Sequence, residues 1–122
     1  MQLMECYEIM GGNFQDVMGR LQSEALVERF AIKFLSDPSF GRLKEAVAEK
    51  NYSEAFRASH SLKGVSQNLS FDKLGESSAK LTELLRHWDT VPVDDVVLEE
   101  YYAQVAEDYK VVTDVLKQYQ DQ

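Results

Sequence analysis

The stretch His60-Ser-Leu-Lys-Gly64 combines a nucleophile, a cation and a residue without a side chain. An imidazole is largely uncharged near neutral pH, and in that form it is a competent nucleophile. Lys63 follows three residues later, so on a helix its ammonium group is a neighbour of the ring and would stabilise an anionic group placed there. Glycine within a helix costs about 1 kcal/mol relative to alanine, which suggests that Gly64 is there to let something approach the ring. These types and spacings favour transfer of an anionic group to and from His60.

A helical wheel at about 100° per residue separates this chemistry from the apolar side of the same helix. Phe56, Arg57 and Gln67 fall on the side of His60, whereas the apolar residues fall on the opposite side: Leu62, Val65 and Leu69. Phe56 lies one turn before His60 and is suited either to docking a partner or to being covered by a neighbouring helix. The alternative for the whole group is an ordinary surface histidine, a solvated lysine and a neutral surface glycine.

The first third of the chain predicts short helices. Gly11-Gly12 ends a first amphipathic segment, Asn13 caps a brief helix over 14–19, and Ser23 caps a longer one. The apolar residues expected to form a broad buried face of that longer helix are Leu26, Phe30, Ile32, Phe34 and Leu35. Asp37-Pro38 then starts a helix afresh, because a capping residue is followed by proline at the first helical position.

The remaining sequence predicts longer helices. The helix bearing His60 is expected over about 53–69, Asp72 is expected to cap the next one, and a final helix runs over about 96–119. The stripe expected to be buried on the second of these is Leu74, Ser78, Leu81, Leu85 and Trp88. No alternating strand pattern is present. We therefore predict one all-α domain over residues 1–122, an up-and-down antiparallel four-helix bundle with short additional N-terminal helices.

Composition limits the partners and cofactors. The 122 residues carry a net charge of −8, which argues against nucleic acid or an anionic membrane as a partner. Cys6 is the single cysteine, so an intramolecular disulfide and a multi-thiolate metal site are excluded, and a cytoplasmic setting is the simpler expectation. The N-terminus resembles neither a signal peptide nor a membrane span. We expect no metal or other cofactor in the chain itself.

The segment H-S-L-K-G-V-S-Q-N-L, from His60 to Leu69, resembles the histidine-containing phosphotransfer (HPt) family. The resemblance implies a four-helix bundle that carries phosphoryl groups between receiver domains, or from a sensor histidine kinase. It also implies that His60 accepts the phosphoryl group through Nε2, that Lys63 neutralises its oxygens, and that Gly64 gives the receiver access. Ser66 would support the site or the helix hairpin. The residues expected to bind or dock the partner are Phe56, Arg57, Gln67, Ser66 and Thr82. Magnesium is then expected only in the receiver, and a monomer is expected. The chain could be a free-standing protein or one domain of a larger kinase, and the starting methionine and acidic tail favour the former.

Two positions depart from the family pattern. Ser70 stands where the family often has glycine, and Thr82 stands where it often has a glutamine or glutamate that holds the histidine ring. The Thr82 hydroxyl could bond Nδ1, but its reach is shorter. The sequence has no glycine-rich phosphate loop, so we expect a carrier without kinase activity of its own.

Three other functions stay open. The first is an adaptor with the same bundle that binds receivers or kinases without being phosphorylated. The second is an enzyme with His60 as general base, which would need a partner carboxylate or hydroxyl in a concave pocket. The third is a structural bundle without a site.

Overall fold

The computed structural model describes all residues 1–122 and contains seven α-helices. A single turn of 3-10 helix, Phe34–Ser36, follows the third of them. The helices are α1 Leu3–Met10, α2 Phe14–Leu21, α3 Glu24–Lys33, α4 Ser39–Ala48, α5 Tyr52–Asn68, α6 Asp72–Leu85 and α7 Asp95–Gln120.

The four C-terminal helices form the bundle. α5 packs between α4 and α6, while α7 closes the ring by contacting both α6 and α4. α1 and α3 pack against α7, and α2 connects them. The predicted all-α bundle with short N-terminal helices is confirmed. None of the helices contains an apolar stretch long enough to cross a bilayer.

One continuous core joins the N-terminal helices to the bundle. Tyr7 of α1 lies against Phe71, with ring centroids 5.5 Å apart, and Phe71 in turn contacts Phe34 at 5.3 Å. All three side chains are buried. Such aromatic contacts add to the stabilisation that burial of their area provides. The short N-terminal helices therefore contribute to the core instead of standing apart from it.

The capping residues explain most of the helix ends. Asn13 and Asn51 accept hydrogen bonds from the backbone N–H groups of Asp16 and Glu54, at 2.9 and 3.2 Å. Gly11 ends α1 in the left-handed conformation, with φ of 69°. The expectation for Asp72 is wrong, because it is the first helical residue of α6 and Phe71 occupies the cap position without a side-chain bond.

Two of the buried faces differ from the predicted ones. On α3, Leu26 and Phe30 are each 37 % exposed, whereas the smaller Val27 and Ala31 are buried. A short helix at the edge of the bundle has only one side to bury, and here that side carries the smaller residues. Trp88 is 40 % exposed because α6 ends at Leu85, before the stripe reaches it.

Candidate functional site

α5, the helix that carries His60, is held at its C-terminal end by a side chain from α2. The guanidinium group of Arg20 donates hydrogen bonds to the backbone carbonyl of Asn68 at 2.7 Å and, more weakly, to that of Gln67 at 3.4 Å. The last carbonyls of a helix lack partners within the helix and carry partial negative charge, so a cation there is stabilising. Arg20 thereby fixes the end of α5 against the N-terminal part of the chain.

Ser70 takes the conformation that glycine adopts most easily. Its φ is +56°, in the left-handed region, where a side chain costs about 1 kcal/mol or more. Its hydroxyl donates to the Asp16 carboxylate at 2.7 Å and accepts from Arg20 at 3.1 Å. These bonds offset the strain, so the departure from glycine leaves the turn after α5 in place.

α5 and α6 meet through small residues. A Cβ at Gly75 would lie 3.4 Å from Cγ of Gln67 and 3.8 Å from Cβ of Ser66, so the glycine allows the close approach. Ser66 is fully buried in this contact, and its hydroxyl has no hydrogen-bond partner. Its buried position is consistent with support of the helix hairpin. The expectation that Ser66 docks a partner is wrong, because a buried side chain cannot touch a partner.

Thr82 also lies inside the α5–α6 contact and does not reach His60. Its side chain is fully buried, its hydroxyl donates to the Ser78 carbonyl at 2.7 Å, and it lies 3.1 Å from the Ser59 hydroxyl. No hydrogen bond joins it to the His60 ring. The expectation that Thr82 docks a partner or holds the ring is therefore corrected, since the position faces the residue that precedes His60.

His60 lies on the exposed side of α5, as the helical wheel predicted. Its ring lies nearly parallel to that of Phe56, with centroids 6.0 Å apart and planes 21° apart. The Phe56 ring is half-buried, and the Arg86 guanidinium carbon lies 5.5 Å from its centroid. The imidazole is thus backed by an aromatic ring and open to solvent.

The space beside the imidazole is empty at Gly64. A Cβ built there would meet no atom within 4 Å. Gly64 is not required by helix packing, in contrast to Gly75, and its φ lies outside the left-handed region. The physical consequence of the glycine is therefore clearance on the face of α5 that carries His60.

The two cations near His60, Arg57 and Lys63, differ in whether they are already paired with other side chains. Arg57 is bonded to its helix neighbours Glu54, at 3.5 Å, and Ser53, at 3.3 Å. Lys63 is half-buried and has no carboxylate within 4 Å. Of the two, Lys63 is the one whose ammonium group can turn to a new anion without breaking an ion pair.

The sequence matches the family model described as Hpt domain over residues 36–120. This range covers α4 to α7 and includes His60, Lys63 and Gly64, whereas Arg20 and Asp16 of α2 lie outside it. The chain belongs to the Hpt domain family. No curated protein and no solved structure matches it. Hpt domains are phosphocarrier modules of histidine phosphotransfer relays, in which they interact with receiver domains or kinases.

Sequence analysis missed two charged residues at the end of α6, Glu83 and Arg86, of which Arg86 lies against the Phe56 ring. They form a two-pronged ion pair at the end of α6, with N–O distances of 2.7 to 3.2 Å. The pKa of the Glu83 carboxyl is lowered, first by the hydrogen bonds from Arg86 and further by the positive charges of Arg86, Lys63 and His87. The family pattern directs attention to Thr82, whereas it is the next residue, Glu83, whose carboxyl pKa the positive charge of Lys63 helps to lower.

An apolar groove of about 540 Å³ lies beside the C-terminal half of α5. Val65 forms part of its wall, Leu21 and Phe30 come from the N-terminal helices, and Arg20 and Lys33 add positive charge. Gln67 is exposed two turns after His60. No group of three or more His, Cys, Asp or Glu side chains is arranged to hold a metal ion.

Proposed function

We propose that this Hpt domain is a cytoplasmic phosphocarrier that accepts a phosphoryl group on Nε2 of His60 from the phosphoaspartate of a receiver domain and passes it on. The observation that carries the proposal is the open imidazole of His60 with an unpaired Lys63 and an empty space at Gly64 on the same helix face. A carrier needs these three features and no more.

The transfer is a substitution at phosphorus. The Nε2 lone pair forms the N–P bond while the P–O bond to the aspartyl oxygen breaks, and the electron pair leaves on the receiver's carboxylate. The Nδ1 proton stays on the ring. Because the transition state of such a transfer is loose, alignment and charge stabilisation account for most of the catalysis. Lys63 supplies the charge from this chain, and the receiver supplies magnesium.

The receiver must bring its phosphoaspartate to a helix surface, and Gly64 allows that approach. We place the body of the receiver over the groove beside α5, because Asn68, two turns after His60 on the same helix, lines the groove together with Val65. Exposed apolar side chains next to a reactive group favour a transient partner. Phe30 is the exposed aromatic of that surface.

The adaptor function is the second candidate, and the position of Thr82 favours it. No side chain donates a hydrogen bond to the His60 ring or accepts one from it, so the ring is held by its stacking on Phe56 alone. A general base without a bonded partner group is the least supported alternative, because nothing orients its proton.

Incubation of the chain with phosphorylated receivers tests the proposal. We expect a label on the protein that is stable to base, labile to acid, present in the His87→Gln variant and absent from His60→Gln. His60→Gln should keep the helical signal, because the side chain is exposed. Receiver binding without any label would favour the adaptor and contradict the carrier.

A further inference from the structure

The Glu83–Arg86 ion pair lies beside Phe56, the residue on which the His60 ring stacks, and the transfer described above uses neither side chain. The Arg86 guanidinium carbon lies 5.5 Å from the centroid of the Phe56 ring, and the His60 ring stacks on the same phenylalanine with centroids 6.0 Å apart. Arg86 donates to both carboxylate oxygens of Glu83 through Nε and to one of them through Nη2. Both side chains are more than a third exposed, so they can rearrange without disturbing the core.

The Glu83 carboxylate is a negative charge placed where an incoming anion would need cations. Arg86 is engaged with it directly, and Lys63 is near enough to help lower its pKa. A phosphoryl group carries close to two negative charges near pH 7 and binds guanidinium groups in the same two-pronged geometry as a carboxylate. Phosphoryl group and carboxylate therefore compete for the same cations.

We propose that Glu83 competes with the phosphoryl group for Arg86. Glu83 holds Arg86 while His60 is unphosphorylated, and Arg86 moves to the phosphoryl oxygens when His60 is phosphorylated. The proposal rests on the proposed function of His60. Glu83 is then a positioning residue that makes the phosphorylated state less favourable. Its effect is to keep the carrier ready to give the group away.

The rearrangement requires the Arg86 side chain to rotate away from Glu83. Arg86 follows the last residue of α6 and is not part of the buried core. Exposed side chains change rotamer in picoseconds to nanoseconds, so the exchange does not limit transfer. When Arg86 moves away, the unpaired carboxylate of Glu83 is exposed to water. The free-energy cost of breaking the ion pair is therefore small.

Phosphoramidate phosphorylates histidine without a partner protein and serves as the probe. Its P–N bond breaks as the Nε2–P bond forms, and ammonia leaves. The His87→Gln background leaves His60 as the only histidine, since the chain has two. The fraction of phosphorylated His60 is measured by phosphorus NMR at a fixed ratio of phosphoramidate to ammonium.

In that background we expect Glu83→Gln to raise the ratio of phosphorylated to free His60 about two- to fivefold, a typical effect of an exposed ion pair. The matched control is Glu76→Gln, which removes the same charge two turns earlier on α6 and should change the ratio little. The gain from Glu83→Gln should disappear in the presence of Arg86→Gln. The Nε resonance of Arg86 should shift on phosphorylation in the parent protein, which a purely structural pair would not show.

Two results would overturn the inference. One is a ratio for Glu83→Gln no higher than that for Glu76→Gln. The other is a full gain in the Arg86→Gln background, which would mean that Glu83 acts on the phosphoryl group directly. A parent protein that takes no label on His60 would instead contradict the proposed function, so the two failures are distinguishable.

Discussion

The hydroxyl oxygens of Thr82 and Ser59 lie 3.1 Å apart inside the contact between α5 and α6. This pair shows that the residue of α6 opposite the turn of α5 that carries His60 faces the interior and meets Ser59 instead of His60. A longer side chain there could bend around the edge of α5 to the ring, but threonine is too short. The imidazole consequently depends on Phe56 for its orientation.

Thr82→Val tests that conclusion. We expect a loss of about 1 kcal/mol in the free energy of unfolding, since a buried hydroxyl and its hydrogen bond are removed. The phosphotransfer rate should not change. Thr113→Val is the matched control, because Thr113 is also buried and its hydroxyl also donates to a backbone carbonyl. Slower transfer in Thr82→Val alone would show that Thr82 does orient the ring.

Gly64→Gln separates stability from access. Replacing a helical glycine should raise the free energy of unfolding by up to about 1 kcal/mol, because the new Cβ meets no atom within 4 Å. Transfer from a receiver should be strongly impaired, since the side chain fills the approach to His60. Gly41→Gln on α4 has the same open surroundings and should gain stability without losing transfer. Equal transfer rates for the two variants would refute the clearance argument.

Lys63→Ala should slow transfer about tenfold without abolishing it, because this one cation contributes only part of the charge stabilisation. Lys63→Arg keeps the charge and should recover most of the rate. The comparison variant is Lys44→Ala, which removes an exposed lysine from α4. Rapid-quench kinetics with a phosphorylated receiver give the rates. If Lys63→Ala and Lys44→Ala transfer equally fast, Lys63 has no part in the reaction.

Phe30→Ser tests where the receiver lies. The side chain is 37 % exposed and lines the groove beside α5. Its loss should therefore lower the affinity for the receiver while lowering the free energy of unfolding by less. Val96→Ser, at the start of α7, changes a residue that is 69 % exposed and serves as the control. Titration calorimetry with a receiver measures both. Unchanged affinity for Phe30→Ser would remove the groove from the interface.

Asp16 predicts a pH dependence of stability. The hydrogen bond from Ser70 and then the Arg20 guanidinium lower the pKa of the Asp16 carboxyl. A carboxyl whose pKa is lower in the folded state stabilises the fold above its ordinary pKa of about 3.9, and this contribution is lost as the pH falls through the lowered value.

Asp16→Asn should therefore show a smaller loss of stability on acidification than the parent protein. Urea unfolding at pH 7 and at about pH 3 measures the difference. Asp89→Asn, in the exposed segment after α6, should lose as much stability as the parent. An Asp16→Asn variant with the parent's full acid sensitivity would contradict the assignment.

Local spacing made the reactive face predictable. His60, Lys63 and Gly64 belong to one helix, and residues three and four apart on a helix are neighbours whatever surrounds it. Asn13 and Asn51 act as caps for the same local reason. Apolar periodicity likewise placed Leu62 and Leu69 in the core, so the bundle and the exposure of His60 could be predicted before any contact was seen.

Contacts between distant segments decided the rest. Whether Thr82 meets His60 or Ser59 depends on how α6 is rotated against α5, and no periodicity within α6 specifies that angle to one residue. Arg20 lies 50 positions before Ser70 and 48 before Asn68, whose carbonyl it bonds at the end of α5. The placement of Arg86 against Phe56 follows from the same helix pairing. Sequence determined which groups share a helix face, whereas tertiary packing decided which faces meet, because the register between two helices is set by side-chain fit across their contact.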